Sequence, residues 1–221
     1  IKDRIGPVNE TNAYAAVSYT LGLGGESRLA CGVKAGATFH NVGLSSDVRP
    51  FNPSKDDPAF LTDISNTYFN AGTGLFYYTD RFYFAASVPN MIKSVHLDSS
   101  GQKFGVESPH YFFTSGYVFD LTDNIKFKPF AMVKTAFNAP LSYDVSTNFL
   151  FNEKFELGAT YSKEDSFGAM ANFAITPNIK LGYAYDHIIS DLNSVTKSSH
   201  EVFLLFDVNF PKKISRSPRY F

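Results

Sequence analysis

Apolar and polar residues alternate with a period of two along almost the whole chain, and a helical period is nearly absent. The clearest stretch runs from Leu141 to Phe151. Leu141, Tyr143, Val145, Thr147, Phe149 and Phe151 fall on one face, and Ser142, Asp144, Ser146, Asn148 and Leu150 on the other. Successive strand side chains point to opposite faces, so one face is apolar and aromatic and the other mostly polar. The same pattern sets Leu29, Cys31, Val33, Ala35, Ala37 and Phe39 against Arg28, Gly32, Lys34 and Gly36. It sets Phe127, Pro129, Ala131 and Val133 against Lys126, Lys128, Phe130, Met132 and Lys134, and Phe155, Leu157, Ala159 and Tyr161 against Glu156, Gly158 and Thr160. At the end, Val202, Leu204, Phe206, Val208 and Phe210 oppose Glu201, Phe203, Leu205, Asp207 and Asn209.

Eleven strands follow, near 13–21, 28–40, 68–78, 82–89, 110–121, 125–136, 141–151, 155–163, 167–175, 179–187 and 200–210. Most have 9 to 13 residues, against about 5 to 6 for a globular strand. A strand tilted about 45° needs about 9 to 11 residues to cross a bilayer. The predicted fold class is therefore all-β, a transmembrane antiparallel up-and-down β-barrel. Connection lengths support it, because outer-membrane barrels have short periplasmic turns and longer outer loops. With the last strand ending on the periplasmic side, the periplasmic connections are Gly22 to Ser27, Thr79-Asp80-Arg81, Thr122-Asp123-Asn124, Asn152-Glu153-Lys154 and Thr176-Pro177-Asn178. The long connections 41–67, 90–109 and 188–199 all fall on the other side, with two short ones near Asn138 and Glu164. Eleven is odd where bacterial barrels are usually even, so one or three N-terminal strands are expected to be missing, for 12 to 14 in the complete wall. The opening Ile1-Lys2-Asp3-Arg4, without an initiator Met, fits a mature or truncated product.

Composition sharpens this picture without changing it. The chain has 221 residues, a formal net charge of -1, 23 Phe and 13 Tyr but no Trp. Mean hydropathy is -0.13, low because lumen-facing residues dilute lipid-facing ones. The neutral balance gives no reason to expect a nucleic-acid partner. Cys31 is the single cysteine, so no internal disulfide forms; it reads as a small apolar residue on a buried or lipid face.

Several stretches, in order, are similar to a known family. They include Ile1-Lys2-Asp3-Arg4-Ile5-Gly6-Pro7, Gly32-Val33-Lys34-Ala35-Gly36, Asp57-Pro58-Ala59-Phe60, Gly74-Leu75-Phe76-Tyr77-Tyr78, Tyr83 to Asn90, and Gly116-Tyr117-Val118-Phe119-Asp120-Leu121. Lys126-Phe127-Lys128-Pro129, Ala139-Pro140-Leu141-Ser142, Gly182-Tyr183-Ala184-Tyr185-Asp186 and Ser217-Pro218-Arg219-Tyr220-Phe221 complete the series. Their order and spacing resemble the PorP/SprF outer-membrane proteins of Bacteroidota. The resemblance implies a place in type IX secretion and gliding motility. It also implies a secreted cargo partner with a C-terminal signal domain, and periplasmic components of the machine.

No catalytic constellation stands out, and the expected role is not enzymatic, with no cofactor. His40, His96, His110, His187 and His200 are scattered without metal-ligand spacing and read as loop or interface residues. Asp56-Asp57 offers hard oxygen ligands that suit calcium, but also suits an ordinary turn. The polar-face charges are Arg28, Lys34, Asp120, Lys126, Lys128, Lys134, Asp144, Glu156, Lys180, Asp186, Glu201 and Asp207. They either line a substrate path or pair with one another to plug the lumen. Two domains are expected: a barrel over 1–210 and a basic periplasmic tail over 211–221. In the tail Arg216, Arg219, Tyr220 and Phe221 are the candidate partner-binding residues. The functional expectation is an outer-membrane accessory component that anchors cargo and docks to periplasmic parts of the secretion machine. The alternative is a channel for small solutes.

Overall fold

The computed structural model describes residues 2–43, 63–92, 95–99, 102–106, 108–137 and 139–207. Fifteen strands are seen among them: β1 (Lys2–Ile5), β2 (Val8–Gly24), β3 (Ser27–Val42), β4 (Ile64–Tyr78), β5 (Phe82–Val88), β6 (Val95–Ser99), β7 (Gln102–Val106), β8 (His110–Tyr117), β9 (Phe119–Thr122), β10 (Ile125–Ala136), β11 (Ser142–Phe151), β12 (Phe155–Ser162), β13 (Ser166–Thr176), β14 (Ile179–Ile188) and β15 (Ser198–Phe206). Thirteen form one sheet in the order β1-β2-β3-β4-β5-β8-β10-β11-β12-β13-β14-β15, with β9 paired to β10. β6 and β7 form a separate hairpin. Nearest neighbours in sequence are neighbours in the sheet, which is the up-and-down antiparallel class that the alternation predicts.

Four expectations are corrected. The main path has twelve strands rather than eleven, because β1 pairs with β2 through the turn at Gly6-Pro7. Its four residues, Lys-Asp-Arg-Ile, are too short and too charged to show alternation. The connection 90–109 is not plain loop, since it carries the β6–β7 hairpin. The connection at 188–199 shrinks to 189–197 and holds a 3-10 turn at Asp191–Ser194. The predicted strand 110–121 breaks at Val118, whose amide donates to the Arg81 carbonyl at 2.8 Å. The β9–β10 register ends at Phe127↔Phe119, two residues before Pro129, which has no amide to offer a ladder.

The chain forms two compact units. One comprises Ile1–Tyr19, Cys31–Gly74 and Val88–His110; the other comprises Thr20–Ala30, Leu75–Ser87 and Tyr111–Phe221. In the second, the short connections are set by local chemistry. The Thr79, Thr122 and Thr176 hydroxyls each accept the amide two residues on, from Arg81 at 3.4 Å, Asn124 at 3.3 Å and Asn178 at 3.3 Å. Such side-chain bonds turn the backbone without help from a partner strand. At Asn152-Glu153 both φ angles are positive (51° and 56°), and the Lys154 amide closes the turn on the Phe151 carbonyl at 3.0 Å. This is the primed turn whose twist matches an antiparallel pair.

In the first unit, buried Asn70 on β4 clamps the segment that follows β5. Its Oδ1 accepts the Ile92 amide and its Nδ2 donates to the Ile92 carbonyl, both at 3.2 Å. The Met91 amide donates to the Ala71 carbonyl at 2.8 Å. Gly72 lets this happen, because a Cβ there would strike the carbonyls of Val88 and Pro89. In the second unit Gly182 lies under the Phe203 ring, its cross-strand partner. A ring can swing aside and backbone cannot. Gly72→Ala should therefore lose about 1–3 kcal/mol, the usual range for overpacking, and Gly182→Ala markedly less. Urea titration of the purified protein in micelles, read by the folded-to-unfolded shift on unheated gels, checks the order; equal losses would contradict this account of Gly72.

Candidate functional site: the buried polar face

Burial is inverted relative to a water-soluble protein. Along β11 the polar residues are hidden, with Asp144 at 6% and Ser146 at 2% exposure, while Val145 (50%) and Phe149 (37%) face outward. The inversion continues along β12 and β13, where Glu156 is buried and Leu157, Phe167 and Phe173 are exposed. Fully burying one such side chain is worth about 1.5–3 kcal/mol, so a wall of them facing water would offset a typical domain's stability of about 5–15 kcal/mol. The outward face needs an apolar solvent. Cys31 lies on it, exposed beside Val33, as the lipid-face reading expects. No helix among the described residues is long and apolar enough to cross a membrane, and the spanning elements are strands.

The polar face of the second unit is organised by register. Lys128 sits opposite Asn148 and Glu156 opposite Leu150, on neighbouring strands of one hydrogen-bonded array. Lys128 Nζ contacts Glu156 Oε1 at 2.8 Å, and Asn148 Nδ2 donates to the same oxygen at 2.9 Å. Further along the strands Lys134 meets Asp144 at 2.8 Å, and the hydroxyls of Ser146 and Thr160 lie 2.7 Å apart. Asp120 is bracketed by Arg81 at 2.7 Å and Lys126 at 3.7 Å. Of the charges predicted on this face, Asp120, Lys126, Lys128, Lys134, Asp144 and Glu156 take part in these ion pairs. Lys180, Asp186 and Glu201 make no ion pair among the described residues. In the first unit Lys34 lies over the Tyr14 ring at 4.3 Å. Arg28 is half-buried on β3.

Sequence reading placed Arg81 in a turn and gave no role to Asn148, Thr160 or Asn172. Period-two alternation tells which face a residue takes, but only register tells which residue it meets. All five histidines sit within strands rather than loops: His40 in β3, His96 in β6, His110 in β8, His187 in β14 and His200 in β15. His40 lies 3.6 Å from Glu10, and His200 Nδ1 is 2.6 Å from the Tyr183 hydroxyl. Among the described residues no group of three His, Cys, Asp or Glu is placed to hold a metal ion. Asp56-Asp57 and the tail residues Arg216, Arg219, Tyr220 and Phe221 lie outside the described residues. Val208 and Phe210, placed in the last strand by alternation, also lie outside them.

An all-β, up-and-down sheet with a polar buried face and an apolar outer face defines a membrane protein of the β-barrel class. The family described as type IX secretion system membrane protein PorP/SprF matches residues 1–206, and the chain belongs to that family. The match ends with the last residue of β15, so Ser217–Phe221, which also resembles family members, lies beyond it. No curated protein sequence matches the chain.

The side chains of Lys128 and Glu156 are only 13% and 9% exposed. Removing one partner of such a pair leaves an uncompensated buried charge and is expected to lose about 3–5 kcal/mol, whereas replacing both with apolar residues is often near neutral. Lys128→Met and Glu156→Leu should each destabilise the protein by that order in urea titrations, and the double variant should recover most of the loss. Additive losses would show that the two residues are not coupled.

Proposed function

We propose that this protein acts by binding in the bacterial outer membrane, where it anchors secreted cargo at the cell surface and docks to periplasmic components of the type IX machine. Membership of the PorP/SprF family over residues 1–206 is the observation that carries this reading. The asymmetry of the connections supports it. Two-residue and three-residue turns alternate with the connections that hold residues 43–63 and the β6–β7 hairpin, as expected if one side meets large partners and the other is compact. In this reading residues 1–210 form the barrel and 211–221 a periplasmic tail, with Arg216, Arg219, Tyr220 and Phe221 as the docking residues. The paired charges of the polar face weigh against an open solute channel as the main role.

Affinity purification of the tagged protein in mild detergent is expected to bring down a large secreted protein with a C-terminal signal domain, or periplasmic ring subunits. A solitary protein that conducts in planar bilayers would overturn the reading in favour of the channel. Deleting 215–221 is expected to leave membrane insertion intact and abolish cargo secretion; lost insertion would instead make the tail an assembly element.

A further inference from the structure

The second unit contains a cavity of about 670 Å³ on its polar face, within the roughly 300–1,000 Å³ of small-molecule sites. Its lining mixes apolar Tyr83, Phe130, Met132 and Leu205 with polar Lys128, Asn148, Glu156, Asn172 and Lys180. The strand registers put the polar groups on one face, since Glu156 pairs with Asn172, Asn172 with Gly182, and Lys180 with Leu205.

Two of these groups have nothing to bond. Asn172 Oδ1 is buried and receives no hydrogen bond. A buried acceptor left without a donor carries a desolvation penalty, and a native structure usually supplies the donor from somewhere. The Lys180 ammonium makes no ion pair or side-chain hydrogen bond among the described residues. The other charges are occupied: Lys128 is held by Glu156, and Asp207, which also lines the cavity, has a partner of its own. Among the described residues the cavity thus offers one unpaired cation, one unfilled acceptor and several apolar side chains.

We propose that this cavity binds a small amphiphilic carboxylate that carries its own hydrogen-bond donor, a medium-chain hydroxy acid being the simplest such molecule. The carboxylate pairs with Lys180, the hydroxyl donates to Asn172 Oδ1, and the alkyl chain lies along Phe130, Met132 and Leu205. One unpaired ammonium among the described residues matches the charge of a carboxylate better than that of a phosphate dianion. This goes beyond the secretion role and does not depend on it.

Isothermal titration of the full chain in lipid nanodiscs with 3-hydroxydecanoate tests the site, with decanoate and 1-decanol as comparison probes and empty nanodiscs as the blank. Saturable one-site binding above the blank is expected, strongest for 3-hydroxydecanoate. Lys180→Met should weaken it about tenfold or more, equivalent to about 1.4 kcal/mol, and Lys180→Arg should retain most of it. Asn172→Leu should still bind decanoate but lose the preference for the hydroxy acid. Uptake no greater than in empty nanodiscs would overturn the proposal, as would unchanged binding in Lys180→Met or an undiminished preference in Asn172→Leu.

Discussion

Everything in this molecule follows from putting the backbone into a solvent that cannot hydrogen-bond to it. In hydrocarbon each amide and carbonyl must find its partner within the protein, and a sheet of long antiparallel strands does that while leaving alternate side chains free to face lipid. The long ladders of β10 to β15, broken only by a register shift between Ala174 and Thr176, are the result. Once lipid takes one face, the apolar residues belong outside. The few buried hydrophobics among the described residues, Tyr78, Tyr83, Val118 and Leu150, then no longer need to form a core in the ordinary sense.

That inversion moves the problem of specificity to the polar face. Apolar side chains in lipid tolerate exchange, but a buried carboxylate or ammonium needs a particular neighbour. The contacts of Glu156 with Lys128 and Asn148, and of Asp144 with Lys134, hold only in one register. A slip of one residue would turn both carboxylates outward into hydrocarbon. The ion pairs are thus better understood as register locks than as sources of net stability, since desolvation cancels much of their attraction. The primed turn at Asn152-Glu153 sets the same register from the chain's side, so local and long-range determinants agree on β11 and β12.

The sequence made the class of fold and the face of nearly every strand residue legible, because alternation is a local property. It assigned Val145 and Phe149 outward and Asp144 and Ser146 inward, as they are found. What it missed has two causes. β1 is a charged tetrapeptide whose partner lies across a tight turn, and β6 and β7 are five residues each. All are too short for a periodic signal. Arg81 was invisible as the partner of Asp120, and Asn148 as the second ligand of Glu156, because pairing across strands depends on register and not on spacing within a strand. Family resemblance, by contrast, reached almost the whole chain, since the order of its short stretches survives where each alone is weak.

The polar face also shows where the register locks stop. From β10 to β12 the ion pairs Lys128–Glu156 and Lys134–Asp144 form, although Asp144 Oδ1 and Thr147 Oγ1 receive no hydrogen bond; at β13 and β14, among the described residues, Asn172 Oδ1 has no donor and Lys180 no anion. What sets these two groups apart from Asp144 Oδ1 and Thr147 Oγ1 is that they line one cavity together with apolar side chains. Replacing Asn172 by an aliphatic residue would remove the orphan acceptor at little structural expense, since its main-chain ladder with Glu156 and Gly182 is independent of the side chain. The cavity is therefore better explained as a place where packing yields to recognition than as an imperfection of the lock.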